Sequence, residues 1–306
     1  MKKLLVMILC AGFAINATAQ EKDSVTLKPK WNIGETLVYT MVTNNIHKNQ
    51  NQFALSVDVD TQYLFLKAVK FQNNEYKVLL NYRKTPDFKD RSYKFVQLEK
   101  NYQYVLRMDT MGNVLGLENW KEFRYKYQQS IDSLLLQNVI DSVQYKKMSF
   151  FYSYQDNIET IALNEIRKFL APYSDGFRID NKYLIKRHLE NPFGGRLLTV
   201  QGTTILTKPL GSKYILVINN KSGTEQDVHQ MQLEKDYKAF KAKRGIQVEK
   251  MVPIFYIGNT ETFHFNTAQG RLTYAAIKDS IVTEIESRNY DTYYRLTNVI
   301  EADKSK

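Results

Sequence analysis

Phe53-Ala54-Leu55-Ser56-Val57-Asp58-Val59-Asp60 is the stretch on which the fold class turns. Phe53, Leu55, Val57 and Val59 alternate with Ala54, Ser56, Asp58 and Asp60, so an extended backbone sends apolar groups to one face and small or charged groups to the other. A sheet with one side packed and one side in water has this pattern, which predicts that Leu55, Val57 and Val59 point into a core. Upstream, Leu37, Tyr39 and Met41 alternate with Val38, Thr40 and Val42, after a turn at Trp31-Asn32-Ile33-Gly34-Glu35. Residues 44–51, rich in Asn, are expected to be the polar hairpin connection between these strands. Downstream, strands are expected at 63–71, 76–83, 93–98 and 102–109, with turns at Asn73-Asn74 and Met111-Gly112-Asn113. Connections this short suit an antiparallel meander, because parallel strands need crossovers of about a dozen residues.

The period then changes. Trp120, Phe123, Tyr127, Ile131, Leu134 and Leu135 recur at helical spacing and predict a helix over 117–137, with a second segment over 139–148. Asp156 with Glu159 three residues later predicts a capping box opening a third helix, whose apolar face runs through Ile158, Ile161, Ala162, Ile166 and Phe169 to a stop at Pro172. Residues 175–195 are expected to be irregular, with Pro192, Phe193, Gly194 and Gly195 as the flexible loop. Strands return at 197–207, 213–219, 246–257, 272–285 and 292–300, with turns at Pro209-Leu210-Gly211 and at 219–223, and the segment 225–243 favours a helix. The order is strand-rich 31–115, helical 117–172 and strand-rich 195–300. It predicts an α+β fold over 20–306, an extended curved antiparallel sheet packed around two or three central helices. The alternative layout has two smaller sheets divided at the Pro192 to Gly195 break.

Composition agrees with a packed chain. Of 306 residues 43% are hydrophobic and 25% charged, enough apolar material for a large core. With 13 Gly and 6 Pro against 21 Tyr and 16 Phe, collagen-like and low-complexity architectures are excluded. The helical block between the strand runs, and a charged tail from Glu301 onward, argue against an outer-membrane barrel.

Lys2 and Lys3, the short apolar run from Leu4 to Ile15 and Ala17-Thr18-Ala19 predict a cleaved signal peptide over 1–19, with Gln20 as the new terminus in the periplasm or outside the cell. About a dozen apolar residues make roughly 18 Å of helix, too short for a hydrocarbon core, so no transmembrane segment is expected in the mature chain. Cys10 follows Leu9, where lipoprotein processing needs a small residue, and is assigned to the apolar run. The formal charge is +11, but its cations are interleaved with Asp and Glu, as on solvated faces. The same excess suits an anionic envelope ligand. Export argues against nucleic acid as the partner.

No chemical motif stands out. His47, His188, His229 and His264 include no pair at i, i+4, so no metal site is expected. There is no G-x-S-x-G elbow, since Gly211-Ser212 lacks its context, and no phosphate-binding glycine loop, so neither catalytic residues nor a cofactor are expected.

The leader, with its Ala-x-Ala-Gln cut, resembles those of exported Bacteroidota proteins. The stretch Trp31-Asn32-Ile33-Gly34-Glu35-Thr36-Leu37-Val38-Tyr39 resembles the start of uncharacterised envelope proteins whose curved sheet wraps helices, as in periplasmic lipoprotein carriers. The resemblance implies a curved sheet wrapped around helices and assigns no ligand residues; a sheet of that form that closes only partly can leave an apolar concavity. A concavity of that kind would be lined by Trp120, Phe123 and Tyr127 and by the run Phe150, Phe151, Tyr152 and Tyr154, or these aromatics are ordinary core. The leading functional expectation is noncatalytic binding of a lipid-like or other apolar envelope-derived ligand. A protein-interaction or structural role in the cell envelope stands second and an enzyme third.

Overall fold

The computed structural model describes residues 24–49, 54–84, 103–170, 174–189, 191–194, 197–224, 227–247, 253–285 and 288–302. The expected signal peptide, Cys10, the expected strand at 93–98 and Gly195 lie outside them. The fold is α+β, built on a curved antiparallel sheet. In chain order the elements are β1 (Ser24–Leu27), β2 (Thr36–Asn49), β3 (Ala54–Gln72), β4 (Glu75–Lys84), β5 (Gln103–Asp109) and β6 (Val114–Leu117), then α1 (Trp120–Leu136), α2 (Ser142–Phe151) and α3 (Gln155–Leu170). There follow β7 (Ser174–Arg178), β8 (Lys182–Leu189), β9 (Leu198–Thr207), β10 (Ile215–Gly223), α4 (Asp227–Lys243), β11 (Ile254–Asn266), β12 (Arg271–Ile285) and β13 (Arg288–Glu301).

Among the described residues, eleven strands form one sheet in the order β6-β5-β4-β3-β2-β13-β12-β11-β10-β9-β8, while β1 pairs with β7. Every step but one joins neighbours in the chain. The exception is β2 with β13, which runs antiparallel from Tyr39 against Glu301 to Asn49 against Asp291 and stitches the two strand-rich segments together. At the other end the sheet rolls tightly, so that β8 comes back into contact with β11, three places away. Gly202 on β9 permits that roll: a Cβ there would sit 2.7 Å from the Lys221 carbonyl and 2.8 Å from Ser222 Cβ.

The face that carries the core is set by parity. Leu37 and Tyr39 on β2, Leu64, Leu66 and Ala68 on β3, Val78 and Leu80 on β4, and Tyr104, Leu106 and Met108 on β5 are all buried on one side. Over that side lie β1 and β7, which contribute Leu27, Val25 and Phe177, and the helices α1 and α3, which contribute Phe123, Tyr127, Ile158 and Leu163. A second apolar core forms where α4 places Leu233 and Tyr237 on Leu189, Leu198, Val200, Phe255 and Ile257.

The β2–β3 hairpin corrects three sequence expectations. Its register is unbroken from Thr36 opposite Lys67 to Asn49 opposite Ala54. Residues 44–49 are therefore strand rather than loop, and the expected strands at 53–60 and 63–71 are one strand. Because Leu64 and Leu66 point inward, the same parity turns Asp58 and Asp60 inward and Leu55, Val57 and Val59 outward, the reverse of the expected facing. Similar corrections apply further on. Residues 175–195 hold β7 and β8, and 219–223 continue β10 instead of turning. Of the strand expected at 246–257, residues 246 and 247 are not strand, 248–252 lie outside the described residues, and the strand runs from Ile254 on to Asn266.

Among the described residues the helical block contains three helices, and its capping box lies elsewhere than expected. Asp141 accepts hydrogen bonds from Val143 N at 2.8 Å and Gln144 N at 2.7 Å, and Gln144 Oε1 accepts from Asp141 N at 3.0 Å, opening α2. Asp156 already lies inside α3, and Glu159 instead accepts from Leu117 N at 3.0 Å, tying α3 to the end of β6. Gly116 leaves room for that carboxylate, since a Cβ there would stand 3.1 Å from Glu159 Oε1. Asp141→Ala should therefore cost about 0.5–2 kcal/mol. Asp156→Ala, which loses only a charge near the helix N-terminus, should cost less than about 1 kcal/mol. Denaturant unfolding of both variants checks the order, and a larger loss for Asp156→Ala would refute the assignment.

Candidate functional site

Between the two apolar cores the inner face carries a polar belt. Glu261 on β11 accepts from Arg187 Nη2 on β8 at 2.7 Å and from Asn220 Nδ2 on β10 at 2.8 Å. Thr204 Oγ1 donates to Asn220 Oδ1 at 2.8 Å, and Asn259 Nδ2 donates to Asp279 Oδ1 at 2.9 Å. Further along, the Thr43 and Thr297 hydroxyls lie 3.2 Å apart and Gln62 Nε2 donates to Asp60 at 2.6 Å. Arg187 reaches Glu261 across two intervening strands only because the sheet is rolled there. These groups satisfy one another, as buried polar atoms must, and they fasten strands together.

Among the described residues, no group of three or more His, Cys, Asp and Glu side chains could hold a metal ion. Burial lowers the His264 pKa from its ordinary value, so its ring, beside Tyr274 at 4.8 Å, stays neutral to lower pH than usual. A cavity of about 260 Å³ is lined by Gln103, Val105, Asn119, Glu122, Phe123 and Lys126. A shallower groove of about 530 Å³ on the outer face, between Lys70 and Arg107, is crossed by the Lys77–Glu118 ion pair at 2.9 Å. Both are chiefly polar.

The seven aromatics expected to line a site fall into two groups. Phe123 and Tyr127 are 3% and 2% exposed and belong to the large core, with Phe123 against Tyr104 at 4.8 Å and Tyr127 stacked on half-buried Tyr152 at 4.4 Å. Trp120 is half-buried at the edge of that core. Phe150 and Phe151, by contrast, are 66% and 43% exposed, and Tyr154 lies edge-on to Phe150 at 5.1 Å. Of the expected flexible loop, Pro192 and Gly194 are exposed while the Phe193 ring is wedged against Phe255 at 4.6 Å and Tyr237 at 5.2 Å.

Two surfaces invert the usual rule of apolar inside, polar outside. The first is α2, which has no buried residue. It turns Tyr145, Met148 and Ser149 toward α1, where the Tyr145 hydroxyl donates to Asp132 at 3.1 Å and Gln128 Nε2 donates to Ser149 Oγ at 3.1 Å. Its opposite side presents Val143, Lys146, Lys147, Phe150 and Phe151 to solvent. The second is the outer face where β2, β3 and β13 meet. Leu55, Val57 and Val59 are there 63%, 53% and 52% exposed, and Val57 stands opposite Ile46, itself opposite Tyr294, while Val59 stands opposite Asn44, itself opposite Leu296. Lys48 opposite Leu55 and Lys278 opposite Leu296 add cations to that face. Sequence reasoning missed Ile46, Tyr294 and Leu296 as members of this surface. The alternation of 53–60 signalled a sided strand, but nothing in it said which side was out.

No family model matches the chain, and no curated protein matches it. Among solved structures, similarity is found to one described as lipid-protein interactions in lipovitellin, with a TM-score of 0.44 and 7% sequence identity, covering 90% of this chain and 26% of that one. The chain thus spans about a quarter of that protein's length.

Proposed function

We propose that the protein is exported by the leader at 1–19 and binds, without catalysis, a lipid-like or other apolar molecule of the cell envelope. The observation that carries this reading is the inverted end of the sheet. Leu55, Val57 and Val59 give up burial on a face where each would gain about 1.5–3 kcal/mol from being covered. Half-buried Ile46, Tyr294 and Leu296 extend them across neighbouring strands, and contiguous apolar surface of this kind marks binding sites. The two lysines suit a ligand with an acidic head.

A fluorescent fatty acid should bind the wild type saturably, and the pair Val57→Ser with Val59→Ser should weaken it roughly tenfold or more, because the apolar contact is lost while the fold is kept. Native mass spectrometry of the purified product reads copurified ligand and a terminus at Gln20 together. Titrations showing no saturable binding would overturn the ligand reading in favour of a protein-interaction or structural role in the envelope. That second reading is favoured by the form of the surface, an open stretch of sheet in which Leu55, Val57 and Val59 line neither of the described cavities.

A further inference from the structure

We infer that α2 is an interfacial helix that seats the protein on an anionic lipid surface. The inference goes beyond the ligand reading, since it concerns another element and another occupant. A surface helix ordinarily sends its apolar stripe to the core and its charges to water. In α2 the polar contacts with Gln128 and Asp132 are on the inside. Val143, Phe150 and Phe151 are on the outside, spaced at i, i+7 and i+8 so that they share a face with Lys146 and Lys147. At about 1.5 Å per residue the helix offers a strip roughly 15 Å long, with exposed Val139 before it and Tyr154 after it.

Charge selects the occupant. The sequence Ser142–Phe151 contains two lysines and no acid, and neither lysine forms an ion pair among the described residues. The Asp141 carboxylate at its start is occupied by backbone amides of the first turn. Aromatic rings flanked by uncompensated cations match a bilayer surface, where rings enter the headgroup and acyl boundary while ammonium groups stay at the phosphates. A protein partner would need complementary acids over apolar pockets. A lipid surface needs only negative charge and depth.

The test is sedimentation of the full chain with phosphatidylcholine vesicles, alone and with about 30% phosphatidylglycerol. Binding should rise with phosphatidylglycerol and fall as salt goes from about 0.05 M to 0.5 M, because screening shortens the reach of the lysines. Lys146→Ala with Lys147→Ala should reduce binding to the anionic vesicles about thirtyfold. Phe150→Ser with Phe151→Ser should reduce it at every salt concentration. The lysine pair should keep the wild-type unfolding midpoint, while the phenylalanine pair, whose rings rest edge-on on Tyr154 at 5.1 Å and Tyr152 at 5.2 Å, should lower it slightly and stay folded. Both should leave fatty-acid titration unchanged, which separates failure here from failure of the ligand reading. No binding to anionic vesicles, or binding unaltered in both pairs, would overturn the inference. So would loss, in these variants, of a stable complex with protein in place of vesicle binding.

Discussion

Phe123→Ala should destabilise the protein by about 3 kcal/mol, at the lower end of the 3–5 kcal/mol expected for removing a buried phenyl ring. The ring is 3% exposed, packs on Tyr104 at 4.8 Å and joins α1 to the inner face of β5. Its truncation removes both the transfer free energy and the contacts of the surrounding wall. The lower end applies because the cavity beside Gln103 and Lys126 borders one edge of the ring, so water can enter part of the vacated space. Denaturant melts measure the effect, and the slope of the transition should stay the same. A loss under about 1 kcal/mol would mean that the ring lines a loosely filled site and would return the first helix to the list of ligand-binding elements.

The second large effect lies in the polar belt. Glu261→Ala should cost about 3 kcal/mol, because it strands the Arg187 guanidinium and the Asn220 amide that now share Glu261 Oε2. Arg187 is 31% exposed against 4% for Glu261, so the arginine can partly recover water, which holds the cost to the low end of the range for broken buried pairs. Replacing both members, Arg187→Met with Glu261→Leu, should be milder than Glu261→Ala alone, since no guanidinium is then left without its carboxylate and the stranded Asn220 amide is the cost that stays. A double variant as unstable as the single one would show that the belt has a packing role that apolar groups cannot fill.

The two predictions rest on features that differed in legibility. Strand and helix periods were readable because they are local: Leu37 to Met41 alternate and Trp120 to Leu135 recur at helical spacing whatever surrounds them. The curved antiparallel sheet with its helical block followed. Facing was not readable at 53–60, because alternation specifies two faces and only the neighbours of Leu64 and Leu66 decide which one is covered. Asn-rich stretches misled twice. Residues 44–49 and 219–223 look like turns by composition, yet their backbones complete sheet ladders, and Asn220 spends its amide on Thr204 and Glu261. β8 was hidden because its inner residues include Arg187 and its outer ones Leu184, so polarity does not alternate cleanly. The capping box was read at Asp156 with Glu159, and Asp141 with Gln144, which the sequence reading passed over, is the one that forms. The aromatic residues of α2 were visible in the sequence. Their outward direction is set by hydrogen bonds to Gln128 and Asp132 and is visible only in three dimensions.

The seam between β2 and β13 has a consequence for how the chain matures. Thr36–Asn49 reaches its second partner only when Arg288–Glu301 has been made, so the amino-terminal meander must wait with one edge of β2 unpaired. Contacts this distant in the chain close slowly, since a loop of more than two hundred residues is ordered before the pairing rewards it. During that interval an unpaired strand edge, apolar on its outer side at Val38 and Val42, is open to pairing with any other chain. Export in an unfolded state would lengthen the interval. Yield in the cell should then depend on how well that edge is shielded before the last strand arrives, more than on the stability of the finished sheet.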